Sequence, residues 1–570
     1  MAPRGARRYR LRWSARGMRS RLVGRGGPAA SGRGHRRDGD VMRASHRMVA
    51  GLLGVMLVTS GCSGGGEDEA TVSAYTAHLK EPVDLIPGQT NETQGSTVAN
   101  LLFAGLTTYR DGGERPANLV AKSLETTDNK TWRVTLRPGW KFHNGEPVTA
   151  ESFVGAWTAT VRHGWRNAYF FTDLLRIKGA DQVGPGKEGS ELAGLDVVSD
   201  TEFTITLDAP NANLPLIVGY TAFYPVPESV LQSEKWDEYR QKPIGNGQYL
   251  MAEGWRHDEY IKLAKNTEYA GPDPGKADEI TFRIYAKPND AYSDAVAGNL
   301  DVATVPPSRL VSAPQDFPDR YLTTPGSTFV FLGMPLWRKG YKDVRVRRAI
   351  SMAIDREQIA ATLFNKTVDP AHGLVSPLIE RGRRDGPCGD ACRFRPVAAK
   401  ELLDEAGGVP GDELVLWYDT GAGHEDWVEA VANQLRRNLR VRVRLHGQPW
   451  ARYPDLTTEH KVTGPYRLGW AMDYPAAENY LTPLYSTGGS ANGTGYSNNK
   501  VDELLAKGNA AKSPSAGVPS LHAAEDQILR DMPVVPLWFA KNPYVHSSRV
   551  GNLDYDGLGY LEYDQAEVTG

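Results

Sequence analysis

Between Leu414 and Leu445 the hydropathy pattern changes period twice. Leu414–Tyr418 is an apolar run of strand length. Glu425–Asn438 follows with Trp427, Val428, Val431 and Leu435 at helical spacing, and then Val441, Val443 and Leu445 alternate with Arg442 and Arg444. A strand, helix and strand joined this closely form a parallel, right-handed crossover. This part of the chain is therefore committed to an open α/β sheet. Such sheets bind ligands beyond the carboxyl ends of their strands. The loop Asp419–His424 lies at such an end, so His424 is a candidate by position as well as type; the alternative is a capping or solvated loop histidine.

A second strand points the same way. In Tyr466–Pro475, Tyr466, Leu468 and Trp470 alternate with Arg467 and Gly469; Asp473 follows the strand, and Pro475 cannot continue a ladder. A guanidinium within the strand and a carboxylate just past its end could hold the two ends of a zwitterion. The competing reading is an arginine on a solvated face and an aspartate opening a turn.

A chain of 570 residues exceeds one hydrophobic core, so two or three domains are expected. Charge is unevenly spread. Residues 1–47 hold fourteen Arg, no Lys and two Asp, so the rest carries a net −14 against −2 for the whole. An acidic body of this size argues against nucleic acid or anionic membrane surfaces as partners and tolerates cationic ligands. Residues 1–41 show no apolar period, and Met42 or Met48 makes a better start. Arg43 and Arg47 form a basic n-region ahead of Val49–Val58, which is too short to span a bilayer and suits a signal-peptide core. Thr59-Ser60-Gly61-Cys62 resembles a bacterial lipobox, with Thr59 where Leu is usual. That resemblance implies cleavage after Gly61 and lipidation of Cys62; the alternative is a plain secretory peptide with a spare cysteine. Ser63–Glu67 reads as a flexible tether. With Cys62 lipidated, Cys388 and Cys392 remain, four apart and outside the reducing cytoplasm, and a local disulfide is expected. A metal site is the alternative, but two thiols are too few ligands and no histidine sits near in sequence.

The folded part begins near Thr71. Trp132, Val134 and Leu136 share one face of a strand at Thr131–Arg137, Pro138-Gly139 turns it, and Thr149 caps a helix carrying Phe153, Ala156, Trp157 and Thr160 on one stripe. Glu202–Leu207 is another strand. Asp343 caps a helix over 343–356 whose buried stripe is Val346, Ala349, Ile350, Ala353 and Ile354; Arg345, Arg347 and Arg348 are expected on its solvent face. The run 131–153, Thr-Trp-Arg-Val-Thr-Leu-Arg-Pro-Gly-Trp-Lys-Phe-His-Asn-Gly-Glu-Pro-Val-Thr-Ala-Glu-Ser-Phe, resembles the signature of the family 5 extracellular solute-binding proteins. Ordered matches follow at Pro243–Tyr249, Asp343–Arg356, Ala399–Gly407 and Met532–Leu537. The resemblance covers roughly 71–545.

The resemblance implies an α/β, two-lobed periplasmic-binding-protein fold (type II), with a discontinuous first lobe at 71–112, 233–326 and 541–570, an accessory subdomain at 113–232 and a second lobe at 327–540. Residues 1–61 would be leader and lipoprotein signal peptide, and 62–70 the tether. The implied function is the extracytoplasmic binding component of an ATP-binding-cassette importer, a monomer held by lipid to the outer face of the bacterial cell membrane. It would capture oligopeptides and deliver them to permease subunits. Oligopeptide binders of this family hold the ligand's ammonium with an Asp after Gly-Trp, which Asp473 matches. Their carboxylate-side contacts include a basic residue six positions earlier and a histidine in the strand-end loop, matched by Arg467 and His424. Trp470 and Tyr474 could line side-chain pockets or belong to the core. No cofactor and no metal are implied. A Walker loop and H-E-x-x-H are absent, and G-x-S-x-G occurs only at Gly61–Gly65 in the leader, so an enzyme is not expected. Other solutes (a dipeptide, a nickel complex, an oligosaccharide) or a peptide-sensing surface receptor are the alternatives.

Overall fold

The computed structural model describes residues 72–569 apart from 110–112 and 114. The leader, Cys62 and the tether lie outside the described residues. The strand–helix–strand unit of 414–445 is present as strands Glu413–Thr420 and Arg442–Pro449 around helix Glu425–Leu439. The strands run parallel, from Glu413 opposite Arg442 to Thr420 opposite Pro449. Trp427, Val428, Val431 and Leu435 are buried, as helical spacing on one face requires. Strand Tyr466–Trp470 lies beside Glu413–Thr420, and the six-stranded sheet is ordered Val368–Pro370, Val534–Ala540, Phe329–Gly333, Tyr466–Trp470, Glu413–Thr420, Arg442–Pro449. Ile350, Leu416, Val431 and Leu537 meet in the core over its face.

A seven-stranded sheet gathers strands from distant parts of the chain in the order Tyr321–Thr324, Asn542–His546, Val302–Thr304, Ala74–Leu79, Glu279–Ile284, Tyr260–Lys265, Tyr249–Met251. Ala74–Leu79 is parallel to both its neighbours. A third, antiparallel sheet of four strands comprises Ala121–Thr126, Thr131–Leu136, Glu202–Thr206 and Leu195–Ser199. Trp132, Val134 and Leu136 turn inward there, and helix Ala150–Arg162 begins at a capping box made by Thr149 and Ser152.

The two larger sheets are joined by two strand crossings. Chain leaves Tyr321–Thr324 in the first sheet and re-enters at Phe329–Gly333 in the second; it returns from Val534–Ala540 to Asn542–His546. The crossings touch, with Ala540 N donating to Thr328 O at 2.9 Å. A Cβ on Gly326 would stand 1.5 Å from Ala540 O, so only glycine admits this approach.

Two sequence expectations change. The helix foreseen over 343–356 is two helices, Val344–Met352 and Arg356–Thr362, because Asp355 caps a second start as Asp343 caps the first. Arg347 does not lie on a solvent face. It is 6% exposed, and its guanidinium donates to the carbonyls of Tyr341, Lys342, Asp531 and Met532. Arg356, fully buried, donates to the carbonyls of Ser351, Ile354, Cys392 and Pro536. Each guanidinium is satisfied by main-chain oxygens, which is what a buried charge without a carboxylate requires. Cys392 belongs to a disulfide with Cys388, Cα to Cα 5.6 Å.

Candidate ligand-binding site

Strand Tyr466–Trp470 ends where a cavity of about 520 Å³ opens. Its wall takes Trp470 from the end of that strand and Asp473 from beyond it, Ser96 and Asn100 from helix Thr93–Leu102, Tyr169 and Tyr220 from the 113–232 stretch, and Asp556 and Tyr560 from the C-terminal loop. That volume falls in the range of small-ligand sites.

Asp473 is held by Asn479, a 1% exposed residue in the first turn of helix Ala477–Tyr485. The Asn479 carbonyl accepts from Trp470 Nε1 at 3.1 Å and from Asp473 N at 3.0 Å, while its Nδ2 donates to Asp473 Oδ2 at 3.2 Å. One amide thus fixes the indole and the carboxylate together. Tyr169 OH donates to the same Oδ2 at 3.2 Å. Both donors are neutral. Burial pushes the Asp473 carboxyl up to about 7; Asn479 and Tyr169 pull the other way without cancelling it, and the charge of Glu478 adds to the rise. Both hydrogen bonds go to Oδ2, none from a described residue reaches Oδ1, and Asp473 lines the cavity. Among the described residues no cation stands beside this carboxylate, so it could receive one from a ligand.

Arg467 and His424 come together, but around Asp419 and away from the cavity wall. Arg467 Nη1 lies 3.1 Å from Asp419 Oδ1, and His424 Nε2 lies 3.6 Å from Oδ2. Trp427 Nε1 donates to His424 Nδ1 at 3.1 Å, so the ring proton sits on Nε2, toward Asp419. Burial, then the charge of Arg467, lowers His424 to about 4, leaving it neutral at pH 7. The sequence expects this pair at the ligand's carboxylate; here Asp419, itself buried, pairs with Arg467, and neither Arg467 nor His424 is among the residues that line the cavity.

Of the two alternatives for Tyr474, pocket lining or core, the geometry favours the second. Its side chain is fully buried and its hydroxyl donates to the Glu478 carboxylate, so it belongs to the core beneath the cavity rather than to the wall. Sequence reasoning missed Asn479, Tyr169 and Asp556. The first two act through contacts that no local period records; the third sits in a loop without regular spacing. Among the described residues, no group of three His, Cys, Asp or Glu could hold a metal.

Residues 115–492 match the bacterial extracellular solute-binding proteins, family 5 (middle). The chain belongs to this family of extracellular solute-binding proteins. It is 26% identical over 556 residues to the oligopeptide-binding protein OppA of Bacillus subtilis (strain 168), covering 92% of this chain and 99% of that one. Over 479 residues it is 28% identical to the periplasmic murein peptide-binding protein MppA of Escherichia coli (strain K12), covering 81% of this chain and 86% of that one. The solved structure of the Escherichia coli murein tripeptide binding protein MppA superposes with a TM-score of 0.74 at 25% identity, over 88% of this chain and 99% of that chain. The fold is accordingly the two-lobed α/β fold of these binding proteins. No helix among the described residues is long and apolar enough to cross a membrane.

Proposed function

We propose that this chain captures oligopeptides outside the membrane and delivers them to the permease of an ATP-binding-cassette importer. The observation that carries the reading is Asp473, a carboxylate on the cavity wall whose donors among the described residues, Tyr169 and Asn479, are neutral. A free amino terminus is common to all linear peptides, so a fixed anion for it gives affinity without dependence on sequence. The peptide-binding names of the relatives agree with this chemistry. Trp470, locked by Asn479, supplies an aromatic face beside the anion. Arg467 and His424 set the strand ends that carry Asp473, acting through Asp419. We divide the chain into a first lobe at 71–112, 233–326 and 541–570, an accessory subdomain at 113–232 and a second lobe at 327–540; the sheet membership of the strands supports that division. The chain acts as a monomeric binder and not as a catalyst.

Mass spectrometry of ligands co-purified with the secreted domain tests the reading: peptides with free amino termini are expected, and a sugar or a metal chelate in their place would overturn it. The lipid anchor is part of the same proposal. A diacylglyceryl group on Cys62 supplies two chains and holds firmly, where one chain anchors only marginally. Cys62→Ala is expected to release folded protein into the medium. A variant that stays with the membrane through a salt wash contradicts the anchor.

A further inference from the structure

The acidic body contains a stretch of the opposite sign. Residues 436–452 hold six arginines, one histidine and no Asp or Glu. The fold sets them along the rim of the six-stranded sheet. Strand Arg442–Pro449 is last in the order of that sheet, paired with Glu413–Thr420 on one side and with no described strand on the other. Arg436 and Arg437 occupy the last turn of helix Glu425–Leu439. The Arg436 guanidinium donates to Val443 O at 2.8 Å, which ties that turn to the rim. Arg440 ends the helix at φ 56°, a conformation that usually takes glycine.

Along the strand, Arg442, Arg444 and His446 share one face, while Val443 is buried on the other. His446 lies against the Trp417 ring with centroids 3.9 Å apart. Trp450, 58% exposed, follows the strand, and the exposed Arg452 precedes helix Tyr453–Thr458. Part of the charge is neutralised on the spot: Arg436 pairs with Glu429 at 2.8 Å and Arg444 with Glu413 at 3.4 Å. Arg437, Arg440, Arg442 and Arg452 are exposed. Charged side chains guard an edge strand against pairing with another chain, which accounts for Arg442 and Arg444. It does not account for the arginines of the helix end and the following loop, nor for an indole held in water beside them.

We propose that this rim is a membrane-facing surface that rests on anionic phospholipid headgroups. Guanidinium groups pair with phosphate oxygens, and an exposed indole beside them fits the boundary between headgroups and acyl chains. Each arginine close to an anionic bilayer strengthens binding roughly fivefold. Net charge alone argues against such a surface, but its distribution does not: the acidic remainder is repelled, so the molecule is oriented with the rim toward the bilayer. The inference depends neither on the peptide reading nor on a lipid at Cys62.

Vesicle flotation with the Cys62→Ala chain, which has no lipid of its own, tests it. Phosphatidylcholine vesicles containing phosphatidylglycerol are expected to carry the chain at low salt, and vesicles of phosphatidylcholine alone are not. Salt at about 1 M should release it. Arg442→Gln with Arg452→Gln should weaken binding roughly twentyfold, and Trp450→Ala should weaken it as well. Arg133→Gln with Arg256→Gln removes the same charge from exposed sites on other parts of the chain and should leave binding unchanged. Equal binding to the two kinds of vesicle overturns the proposal, as does an equal loss from the two arginine pairs. Binding of inorganic polyphosphate without binding of either vesicle would assign the rim to a soluble anion and overturn the membrane surface.

Discussion

Asp473 and Asn479 form the smallest unit that explains binding. The amide aligns the carboxylate with the Trp470 indole, yet supplies no charge, so the carboxyl titrates near neutrality, at about 7. A pH dependence follows. The free protein holds the proton below about 7, whereas the complex with an ammonium group requires the carboxylate. Affinity for a free-amine peptide should therefore fall as the pH drops below about 7, approaching tenfold per unit until the carboxylate of the complex itself titrates. Above about 8 the peptide's own amino group loses its charge, so affinity should peak between the two. Titration calorimetry from pH 5.5 to 9 checks this, and an affinity flat below pH 7 contradicts it. Legibility also divides at this scale. Asp473 stood out because it follows a strand of clear alternation. Arg347 misled because an amphipathic pattern scores every charge as exposed, and only the carbonyls of Tyr341, Lys342, Asp531 and Met532 show otherwise.

At the scale of elements, the strands were legible where one face is buried and the other solvated. Thr131–Leu136 has that alternation, whereas in Tyr466–Trp470 the sequence alternates but only Tyr466 is fully buried. The break between Val344–Met352 and Arg356–Thr362 was not, since a continuous apolar stripe hides a second cap at Asp355. The C-terminal loop holding Asp556 has no period to read, although it lines the cavity. The crossing between lobes is likewise invisible in sequence: Gly326 is one glycine among sixty until Ala540 O is seen beside it. Gly326→Ala must force the two crossing strands apart. It is expected to destabilise the protein by about 1–3 kcal/mol, the usual cost of overpacking at a tight contact. Urea denaturation of the secreted domain reads this directly, and a variant as stable as wild type would contradict the tight crossing.

For the whole molecule, the two lobes place a carboxylate from the second beside tyrosines and carboxylates carried by the rest of the chain. Family membership accounts for the fold; the cleft's charges argue for the ligand. The central claim is that Asp473 receives a peptide's amino terminus. A four-member cycle tests it by calorimetry: wild type and Asp473→Asn, each with a free-amine peptide and its N-acetylated counterpart. Either change alone should cost roughly 2–5 kcal/mol of affinity, because each deletes one half of an enclosed charge pair. Both together should cost little more than one, since the second change removes an interaction already lost. Equal binding of free and acetylated peptide by the wild type, or costs that simply add in the double change, would contradict the assignment.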